Sequence, residues 1–520
     1  MERKIEITKP YILLPVCAGK TEIKVSLFLE DEEALRKKIH EFMVPVAETD
    51  TQTGGYPCDY YAEIPIHAYL GGQLVVSADA PAAFMDAVQN GEKADRDTKT
   101  QCPHPIIHFA ADTGWTNDPN GLIYADGIYH FYFQYNPFNT SWENMSWGHA
   151  VSTDLLHWKQ EDTVLFPDES GTMFSGCAVA NERGLLGLPK DALLFFYTAA
   201  GGANAWSKGL AFTQKIAYSL DGGKTLVKME NPCLPTIEKE NRDPKVYWHE
   251  ETQAYVMALF LEGNDFAIFR SQDLLHWEQS DRFTLDDAWE CPDLFCLTAD
   301  TGETCWFFWS ADGFYYQGDF DGFHFNVQGK QRKAYVNGIP YAAQTYFGVA
   351  DRTISIPWLR MENDGRMFTG AYGLPVELTC KNTENGYIII QKPVRELLQQ
   401  AKPVAESGAG GENMLLSGTD QKAVVLDMRA KEDYKGSFTW ELNGSVVAYN
   451  PQNGAFGVDD EQYQVGCGYR EFLFIVDDRI LEVFFDDGVQ LGTFVLKETA
   501  VQVKMPSAEV FEKNHVFEIM

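Results

Sequence analysis

A five-residue sequence that occurs twice constrains the fold of this 520-residue chain more than any other feature. The residues Asp-Leu-Leu-His-Trp occupy positions 154–158 and again positions 273–277, and a serine stands two residues before each copy. A weaker copy of the same turn lies between them at residues 219–224. Turns that recur between short strands at intervals of tens of residues are typical of blades arranged around an axis. The repeat therefore predicts a β-propeller.

A second series of segments predicts the number of blades. Each segment opens with a small or polar residue or a proline, and an apolar run follows, as expected for the first strand of a blade. The five segments are Asp118–Tyr124, Ser175–Val179, Asp243–Tyr247, Pro292–Phe295 and Gly348–Arg352. They predict an all-β chain with a five-bladed β-propeller over residues 104–378.

The residues before the propeller predict an extra domain. Residues 1–100 carry alternating or apolar runs, such as Ile23–Phe28 and Gln73–Ser77, and one segment, Glu32–Met43, with the spacing of a helix. The polar stretch 90–100 lacks apolar periodicity and predicts a linker. We expect a β-rich, sandwich-like N-terminal domain that either packs on the propeller or mediates oligomerisation.

The residues after the propeller predict a connector and a third domain. Residues 379–400 are predicted to be a linker whose helix covers Pro393–Gln400. Alternating strands then continue to the end of the chain, and the clearest is a hairpin over residues 480–495 with an Asp-Asp-Gly turn. Residues 401–520 therefore predict a C-terminal β-sandwich.

Charge restricts the partners of the chain. It contains 42 Lys and Arg against 75 Asp and Glu, a formal net charge of −33. A field of that sign repels nucleic acid and anionic membranes, so we expect neither as a partner. Aromatic residues make up 13 % of the chain, which fits β-sheet cores and sugar-stacking platforms alike. The oligomeric state stays open.

The N-terminus and the cysteines give expectations about compartment and cofactors. Residues 1–6 lack the apolar stretch of a signal peptide, so we expect a cytoplasmic protein. The ten cysteines include no Cys-x-x-Cys pair, which favours reduced thiols over a disulfide framework or a zinc site. His104 and His108 have the spacing of a metal pair on a helix, but they lie in an apolar, strand-like segment where packing or hydrogen bonding is expected.

Three acidic residues at the beginnings of predicted inner strands point to chemistry. Asp118, Asp243 and Glu290 are each followed directly, or one residue later, by a proline. Inner strands of a propeller begin at one end of a central channel, so these side chains should converge. A single Asp-Pro pair commonly forms only a turn. Three carboxylates in one place raise at least one pKa, and a fold keeps such an arrangement mainly for catalysis or for a cation.

Glycoside hydrolysis fits these acids better than a metal site does. Two carboxylates on either side of an acetal bond are what that reaction needs, one to protonate the departing oxygen and one to attack or stabilise the anomeric carbon. A calcium loop would instead alternate Asp and Asn within one continuous segment, and the sequence contains none.

Six segments around these acids carry a family resemblance. They are Trp-Thr-Asn-Asp-Pro-Asn-Gly at 115–121, Gln-Tyr-Asn-Pro at 134–137, Trp-Gly-His-Ala at 147–150, Phe-Ser-Gly at 174–176, Arg-Asp-Pro at 242–244 and Glu-Cys at 290–291. In order and spacing they resemble the motifs of glycoside hydrolase family 32, which includes invertases, levanases, inulinases and plant fructan exohydrolases. Residues 1–100 are not part of that core pattern.

The resemblance implies a retaining β-fructofuranosidase. Its substrates would be fructans, fructo-oligosaccharides or sucrose, and no cofactor or metal is implied. Asp118 would be the nucleophile, Glu290 the acid and then the base, and Asp243 a transition-state stabiliser. The resemblance also implies a set of residues around the fructose: Asn117, Gln134, Trp142, Ser175 and Arg242.

Subclass and alternatives remain to be distinguished. The segment 134–154 looks more like levanases and exo-inulinases than like sucrose-phosphate hydrolases, which favours an exo-acting fructan hydrolase. Thr116 stands where the family more often has Met, which puts the linkage preference in question. A fructosyltransferase on the same site, an inverting pentosidase with the same propeller and a non-catalytic fructan-binding propeller are the alternatives.

Overall fold

The computed structural model describes residues 1–48, 56–93, 102–404, 415–417 and 422–519. Nearly all of its regular structure is β-strand, as predicted. Of the predicted linker 90–100, residues 90 and 91 belong to a short strand instead, and residues 94–100 lie outside the described ranges. Within those ranges, no helix has the length and apolar character that crossing a membrane would require.

Two sheets form the N-terminal domain, one ordered β1-β6-β3-β4 and the other β5-β2-β7. Their strands are β1 Glu2–Glu6, β2 Tyr11–Val16, β3 Glu22–Glu30, β4 Arg36–Pro45, β5 Tyr60–Pro65, β6 Gln73–Ala78 and β7 Gln89–Gly91, with a 3₁₀ turn at His67–Tyr69 and helix α1 at Ala82–Ala87. Buried side chains from both sheets, such as Leu14, Val25 and Ile64, fill the space between them.

The predicted helix Glu32–Met43 is wrong, because this segment belongs mainly to strand β4. Leu35, Ile39 and Met43 have helical spacing in the sequence, which is what suggested a helix. In the structure β4 pairs antiparallel with β3, with Lys24 opposite Met43 and Leu27 opposite His40. Pairing and burial of Phe42 and Val44 outweigh the local spacing.

Five sheets of the described chain form the propeller, one for each predicted blade. Blade 1 contains β8 Gly114–Ala125, β9 Ile128–Asn136, β10 Ser146–Ser152 and β11 Lys159–Gln160. Blade 2 contains β12 Thr172–Ala180, β13 Leu193–Ala200, β14 Phe212–Ser219 and β15 Val227–Lys228. Blade 3 contains β16 Arg242–His249, β17 Ala254–Phe260, β18 Asp265–Ser271 and β19 Glu278–Thr284. The duplicated sequence forms a turn between the third and fourth strands of blades 1 and 3, where the Asp154 and Asp273 carboxylates accept backbone N–H groups.

Blades 4 and 5 complete the ring. Blade 4 consists of β20 Asp293–Thr298, β21 Thr304–Trp309, β22 Phe314–Phe320, β23 Phe325–Val327 and β24 Arg332–Lys333. The chain then forms β25 Pro340–Thr345, β26 Thr353–Leu359, β27 Phe368–Thr369, β28 Ala371–Tyr372, β29 Val376–Thr383 and β30 Gly386–Pro393, all of which belong to blade 5 except β27. Strand β27 pairs in parallel with β8 and belongs to the sheet of blade 1, so the chain of the last blade adds a strand to the first.

Two predictions about the end of the propeller are wrong. The inner strand of blade 5 is β25, whereas the predicted segment Gly348–Arg352 lies in the turn that follows it. The sequence of β25 has no run of large apolar residues, so its pattern did not mark a strand. Residues 379–393 are not a linker, because they belong to β29 and β30; a short helix, α2, covers only Glu396–Gln400.

The C-terminal β-sandwich consists of two six-stranded sheets. Its strands are β31 Lys402–Pro403, β32 Leu415–Ser417, β33 Ala423–Ala430, β34 Phe438–Leu442, β35 Ser445–Asn450, β36 Ala455–Val458, β37 Glu461–Gln464, β38 Glu471–Asp477, β39 Ile480–Phe485, β40 Gln490–Val495, β41 Gln502–Lys504 and β42 Phe511–Ile519, with 3₁₀ turns at Asp486–Gly488 and Ala508–Val510. Strands β39 and β40 are the predicted hairpin. Trp440, Phe474 and Phe485 are buried between the sheets.

A buried histidine joins the propeller to the sandwich. His108 Nδ1 lies 2.9 Å from Asp477 Oδ2, and its Nε2 lies 3.1 Å from Glu482 Oε2. All three side chains are inaccessible to solvent. Burial alone would lower the pKa of His108, but the hydrogen bonds with Asp477 and Glu482 outweigh it and raise that pKa to about 9. His104 makes separate contacts with backbone carbonyls, so hydrogen bonding rather than a shared metal accounts for the pair.

We expect the stability that His108 contributes to be present at low pH and lost at high pH. Its pKa rises from 6.5 to about 9 on folding, so the contribution is complete below about pH 6.5 and disappears as the pH rises through about 9. The shift corresponds to about 3 kcal/mol. Replacing His108→Gln should therefore lower the free energy of unfolding by that order near pH 6, and by much less near pH 10.

Urea unfolding of the wild type and of the His108→Gln variant at the two pH values measures this difference. The control is His157→Gln, because His157 makes a similar contact with Asp154 but is exposed, and its loss should change stability little at either pH. A His108→Gln effect of equal size at both pH values would contradict the prediction.

Candidate active site

The inner strands of four blades carry a β-bulge near the site. The bulge in β8 contains Asn117 and Asp118, the one in β12 contains Phe174 and Ser175, and the one in β16 contains Asp243. Strand β25 has a bulge directly after Tyr341. A bulge turns a side chain away from the regular alternation of a strand, which explains how neighbouring positions of one strand can both face the pocket.

The backbone at three site positions is in the left-handed region, which side chains other than glycine rarely adopt. The φ angles are +64° at Asp243, +29° at Glu290 and +45° at Cys291. Such conformations cost on the order of 1–3 kcal/mol each and persist only where the surroundings fix them. Gly176 shows how close the packing is beside the site, since a Cβ there would lie 1.8 Å from the carbonyl oxygen of Phe196.

All eight predicted site residues line one cavity of about 280 Å³. The complete lining is Asn117, Asp118, Gln134, Trp142, Met145, Phe174, Ser175, Arg242, Asp243, Glu290, Tyr341 and Trp358. The residues come from all five blades, with Glu290 lying directly before the first strand of blade 4, and two of them, Trp142 and Met145, belong to the loop between β9 and β10. The three acids therefore lie in one cavity, as the sequence predicts.

Asp118 and Asp243 flank the thiol of Cys291. The Cys291 Sγ lies 3.6 Å from Asp118 Oδ2 and 3.5 Å from Asp243 Oδ2. The Cys291 backbone N–H donates to Asp243 Oδ2 at 3.0 Å, and the Ser175 hydroxyl donates to Asp118 Oδ2 at 2.7 Å. Cys291 thus packs between the acids, and burial raises the pKa of its thiol.

Burial and mutual repulsion make ionisation of both aspartates unfavourable. Burial, followed by the charge of Glu290, raises the pKa of Asp118 from 3.8 to about 6. Burial also raises the pKa of Asp243, against the opposing effect of the Arg242 guanidinium, whose Nε lies 3.8 Å from Asp243 Oδ2. The pocket therefore holds protons at pH values where exposed aspartates are fully ionised.

Glu290 is held from two sides. Arg242 donates from Nε at 3.1 Å and from Nη2 at 2.9 Å to Glu290 Oε2, and the Tyr341 hydroxyl donates to Oε1 at 2.5 Å. Arg242 itself packs against the ring of Phe260, with 4.5 Å between the guanidinium carbon and the ring centroid. These contacts fix the rotamer of Glu290, so that the carboxyl group faces the cavity.

The other predicted binding residues are fixed to different degrees. Gln134 is buried and donates to the carbonyl of Met173, and Asn117 accepts a hydrogen bond from Trp115. Trp142 is 49 % exposed and contacts Phe174 edge-on. Thr116, the departure from the family pattern, is fully buried and donates to the Thr369 carbonyl, and it is not part of the cavity wall.

The sequence did not reveal four residues of the cavity wall as site residues: Met145, Phe174, Tyr341 and Trp358. Tyr341 was missed because the inner strand of blade 5 was predicted at Gly348–Arg352, whereas it lies at Pro340–Thr345. Phe174 lies inside a recognised motif, next to Ser175, but its large apolar side chain is typical of a core. Among the described residues there is no group of three or more His, Cys, Asp or Glu arranged to hold a metal ion.

Comparisons with known proteins match the propeller to one family. Residues 108–393 match the model of the glycosyl hydrolases family 32 N-terminal domain. The levanase of Bacillus subtilis is 33 % identical over 471 residues, which cover 78 % of this chain and 68 % of the levanase.

Two solved structures share the fold. The exo-inulinase of Aspergillus awamori has a TM-score of 0.70 at 24 % identity and covers 81 % of this chain and 99 % of its own. A glycoside hydrolase family 32 structure from Bifidobacterium adolescentis has a TM-score of 0.66 at 19 % identity and covers 99 % of both chains. The second likeness therefore extends over the N-terminal domain.

We expect Asp118→Asn to stabilise the folded chain. Because the pKa of Asp118 rises on folding, its charge at neutral pH opposes folding by about 2–3 kcal/mol, and this penalty disappears below about pH 4, where the acid is protonated in both states. An asparagine keeps an oxygen for the Ser175 hydroxyl and removes the charge. Thermal unfolding at pH 7 should show a higher Tm for the variant.

The matched control is Asp168→Asn on the same propeller. Burial disfavours the charged form of Asp168, but Lys228 at 2.7 Å outweighs this and lowers the pKa of the acid. The control should therefore lower the Tm, so a decrease for both variants would contradict our account of Asp118.

Proposed function

The chain belongs to glycoside hydrolase family 32 and is a glycoside hydrolase, and we propose that it releases terminal β-D-fructosyl residues from fructans, fructo-oligosaccharides or sucrose. The observation that carries the proposal is the placement of Asp118 and Glu290 in one cavity, on the inner edge of blade 1 and directly before the inner strand of blade 4. The similarity to a levanase and the likeness to an exo-inulinase fold support the substrate class.

The proposed reaction is a double displacement at the anomeric carbon. The carboxylate of Asp118 forms a bond to C2 of the fructosyl unit while the glycosidic C2–O bond breaks, and Glu290 gives its proton to the departing oxygen. Water then attacks C2, Glu290 takes a proton from it, and the bond to Asp118 breaks. The two steps return both carboxyl groups to their starting states and retain the anomeric configuration.

The surroundings of each acid suit these roles. The Ser175 hydroxyl stabilises the charged form of Asp118 and orients the oxygen that accepts it. Arg242 and Tyr341 hold Glu290 in one orientation, so its proton is delivered to one position in the cavity. Asp243 is 5 % exposed, and its carboxyl group is positioned to accept hydrogen bonds from ring hydroxyls that strengthen in the transition state.

The shape of the site favours attack on chain ends. The cavity has a volume of only about 280 Å³, and the acids lie among buried residues such as Gln134. A pocket of this kind admits a terminal sugar, whereas an internal unit of a polymer would need openings on two sides. Trp142 at the exposed side of the pocket offers a ring face to the sugar.

Product analysis tests the proposal. Separate incubations with levan, inulin, kestose and sucrose should each be followed by chromatography, and we expect free fructose from chain ends without a ladder of intermediates. Asp118→Asn should lower kcat by at least about 10³-fold, since it removes the nucleophile. Asp221→Asn makes the same change in an Asp-Gly turn of blade 2 and should leave kcat unchanged.

Other products would identify an alternative. Oligosaccharides longer than the substrate at high sucrose concentration would show a fructosyltransferase, and inverted configuration of the first fructose, observed by proton NMR, would exclude the double displacement. Binding of fructose without turnover of any of the four substrates would contradict the hydrolase assignment of the site.

We expect the rate to fall on the acidic side of about pH 6. The nucleophile acts as a carboxylate, so kcat/KM should decrease about tenfold for each pH unit below the pKa of Asp118, which is about 6. Ser175→Ala removes a hydrogen bond that lowers this pKa, and the decrease should then begin at a higher pH.

The pH dependence of kcat/KM for sucrose between about pH 4 and pH 8 measures the effect. The matched control is Ser219→Ala, because the Ser219 hydroxyl donates to Asp221 at the same distance of 2.7 Å, far from the cavity. An acidic limb that stays in place in Ser175→Ala would contradict the assignment of the limb to Asp118.

A further inference from the structure

The N-terminal domain reaches the rim of the pocket through one strand. Strand β4 is the outer strand of its sheet, so among the described strands none pairs with the other side of its backbone. That side faces the loop 137–145 between β9 and β10, which carries Trp142 and Met145 of the cavity wall. An exposed strand edge is normally covered by charge, proline or another segment, and here the pocket loop meets the edge at Met43.

The side chain of Asn144 joins the loop to the strand edge. The Met43 backbone N–H donates to Asn144 Oδ1 at 2.8 Å, and Asn144 Nδ2 donates to the Met43 carbonyl at 2.8 Å. A carboxamide is suited to this contact because it offers one donor and one acceptor to the same residue. Asn144 itself has a φ of +48°, a conformation that asparagine tolerates better than most residues.

Two further contacts fix the other end of the loop. The rings of Phe138 and Phe42 stack with 4.0 Å between their centroids, and both are buried in the core of the N-terminal domain. Asn139 Nδ2 donates to Glu22 Oε1 at 2.6 Å. The loop is thus attached to the N-terminal domain on both sides of Trp142.

The same strand also contacts blade 2. The ammonium group of Lys38 lies 4.8 Å from the ring centroid of Trp206, in the loop between β13 and β14. Phe212, where β14 begins, packs against Phe174 of the cavity wall, which in turn contacts Trp142. Strand β4 therefore lies beside two loops that border the same aromatic side of the pocket.

We propose that the N-terminal domain positions Trp142 for substrate binding, and that Asn144 is the positioning residue which transmits this through its paired hydrogen bonds with Met43. Asn144 does not line the cavity and acts through Trp142. This inference rests on the proposed function for its consequence in catalysis, but the positioning itself can be measured without substrate.

The first experiment measures the loop directly, in the full chain. Asn144→Gly removes both hydrogen bonds with Met43, together with a longer one of 3.2 Å from Asn144 Nδ2 to Asn136 Oδ1, and keeps the left-handed backbone accessible. Hydrogen exchange of the peptide that contains residues 137–145 should become at least about tenfold faster in the variant. Unchanged exchange would overturn the proposal whatever the activity of the enzyme.

The second experiment measures the consequence with sucrose or kestose. For Asn144→Gly we expect KM to rise about tenfold while kcat stays within about twofold, because a displaced Trp142 weakens binding but leaves the acids in place. In a Trp142→Ala background the same substitution should add less than about twofold, since the residue it positions is gone. Independent, fully additive effects, or a fall in kcat without a change in KM, would overturn the proposal.

The matched control breaks the same domain interface elsewhere. Asp162 of blade 1 accepts hydrogen bonds from Tyr11 and Lys93 of the N-terminal domain, at 2.9 and 2.8 Å, away from the pocket loop. Asp162→Asn should leave KM and the exchange of residues 137–145 unchanged. Equal effects of Asp162→Asn and Asn144→Gly would show a general loosening of the domain and contradict a positioning role. An inactive wild type would refute the proposed function alone, since the exchange experiment would still decide the positioning.

Discussion

One buried ion pair beneath the pocket holds three blades in the arrangement that the site needs. The ammonium group of Lys245 in blade 3 donates to Asp293 of blade 4 at 3.0 Å and to the carbonyl and hydroxyl oxygens of Thr345 in blade 5 at 2.8 and 2.9 Å. Both charges are buried. Removing either partner would leave an uncompensated charge in the ring, which typically costs 3–5 kcal/mol.

The position of this ion pair explains the convergence of the site residues. Asp243 precedes Lys245 by two residues in strand β16, and Tyr341 precedes Thr345 by four residues in β25. Glu290 lies three residues before Asp293, the first residue of β20. Fixing the positions of Lys245, Asp293 and Thr345 therefore fixes where the neighbouring site residues lie. The ion pair holds the strands firmly enough to keep the left-handed backbone of Asp243 and Glu290. It also offsets the repulsion between the acids, which contributes to the raised pKa of Asp118.

Much of this architecture follows from the sequence because the propeller repeats a local unit. The turns at Asp154 and Asp273 are stabilised by hydrogen bonds within the turn itself, so their sequence alone indicates the connection between the third and fourth strands of a blade. The three acids of the site are recognisable in the sequence by the prolines that follow them. What the sequence did not reveal depends on contacts between distant residues. The segment Glu32–Met43 has helical spacing but pairs with β3, strand β25 lacks an apolar run, and Tyr341 is recognisable only by its hydrogen bond with Glu290.

The acids and Trp142 are held in place by different parts of the structure. The acids stand on inner strands that neighbouring blades hold in place, whereas Trp142 stands on a loop whose hydrogen bonds with Met43 and Glu22 come from another domain. A change in the N-terminal domain can therefore alter the rim of the pocket without moving Asp118 or Glu290. Because an exposed strand edge is normally covered, the contact of the pocket loop with Met43 both protects the edge of strand β4 there and fixes the loop that carries Trp142, with the same two hydrogen bonds.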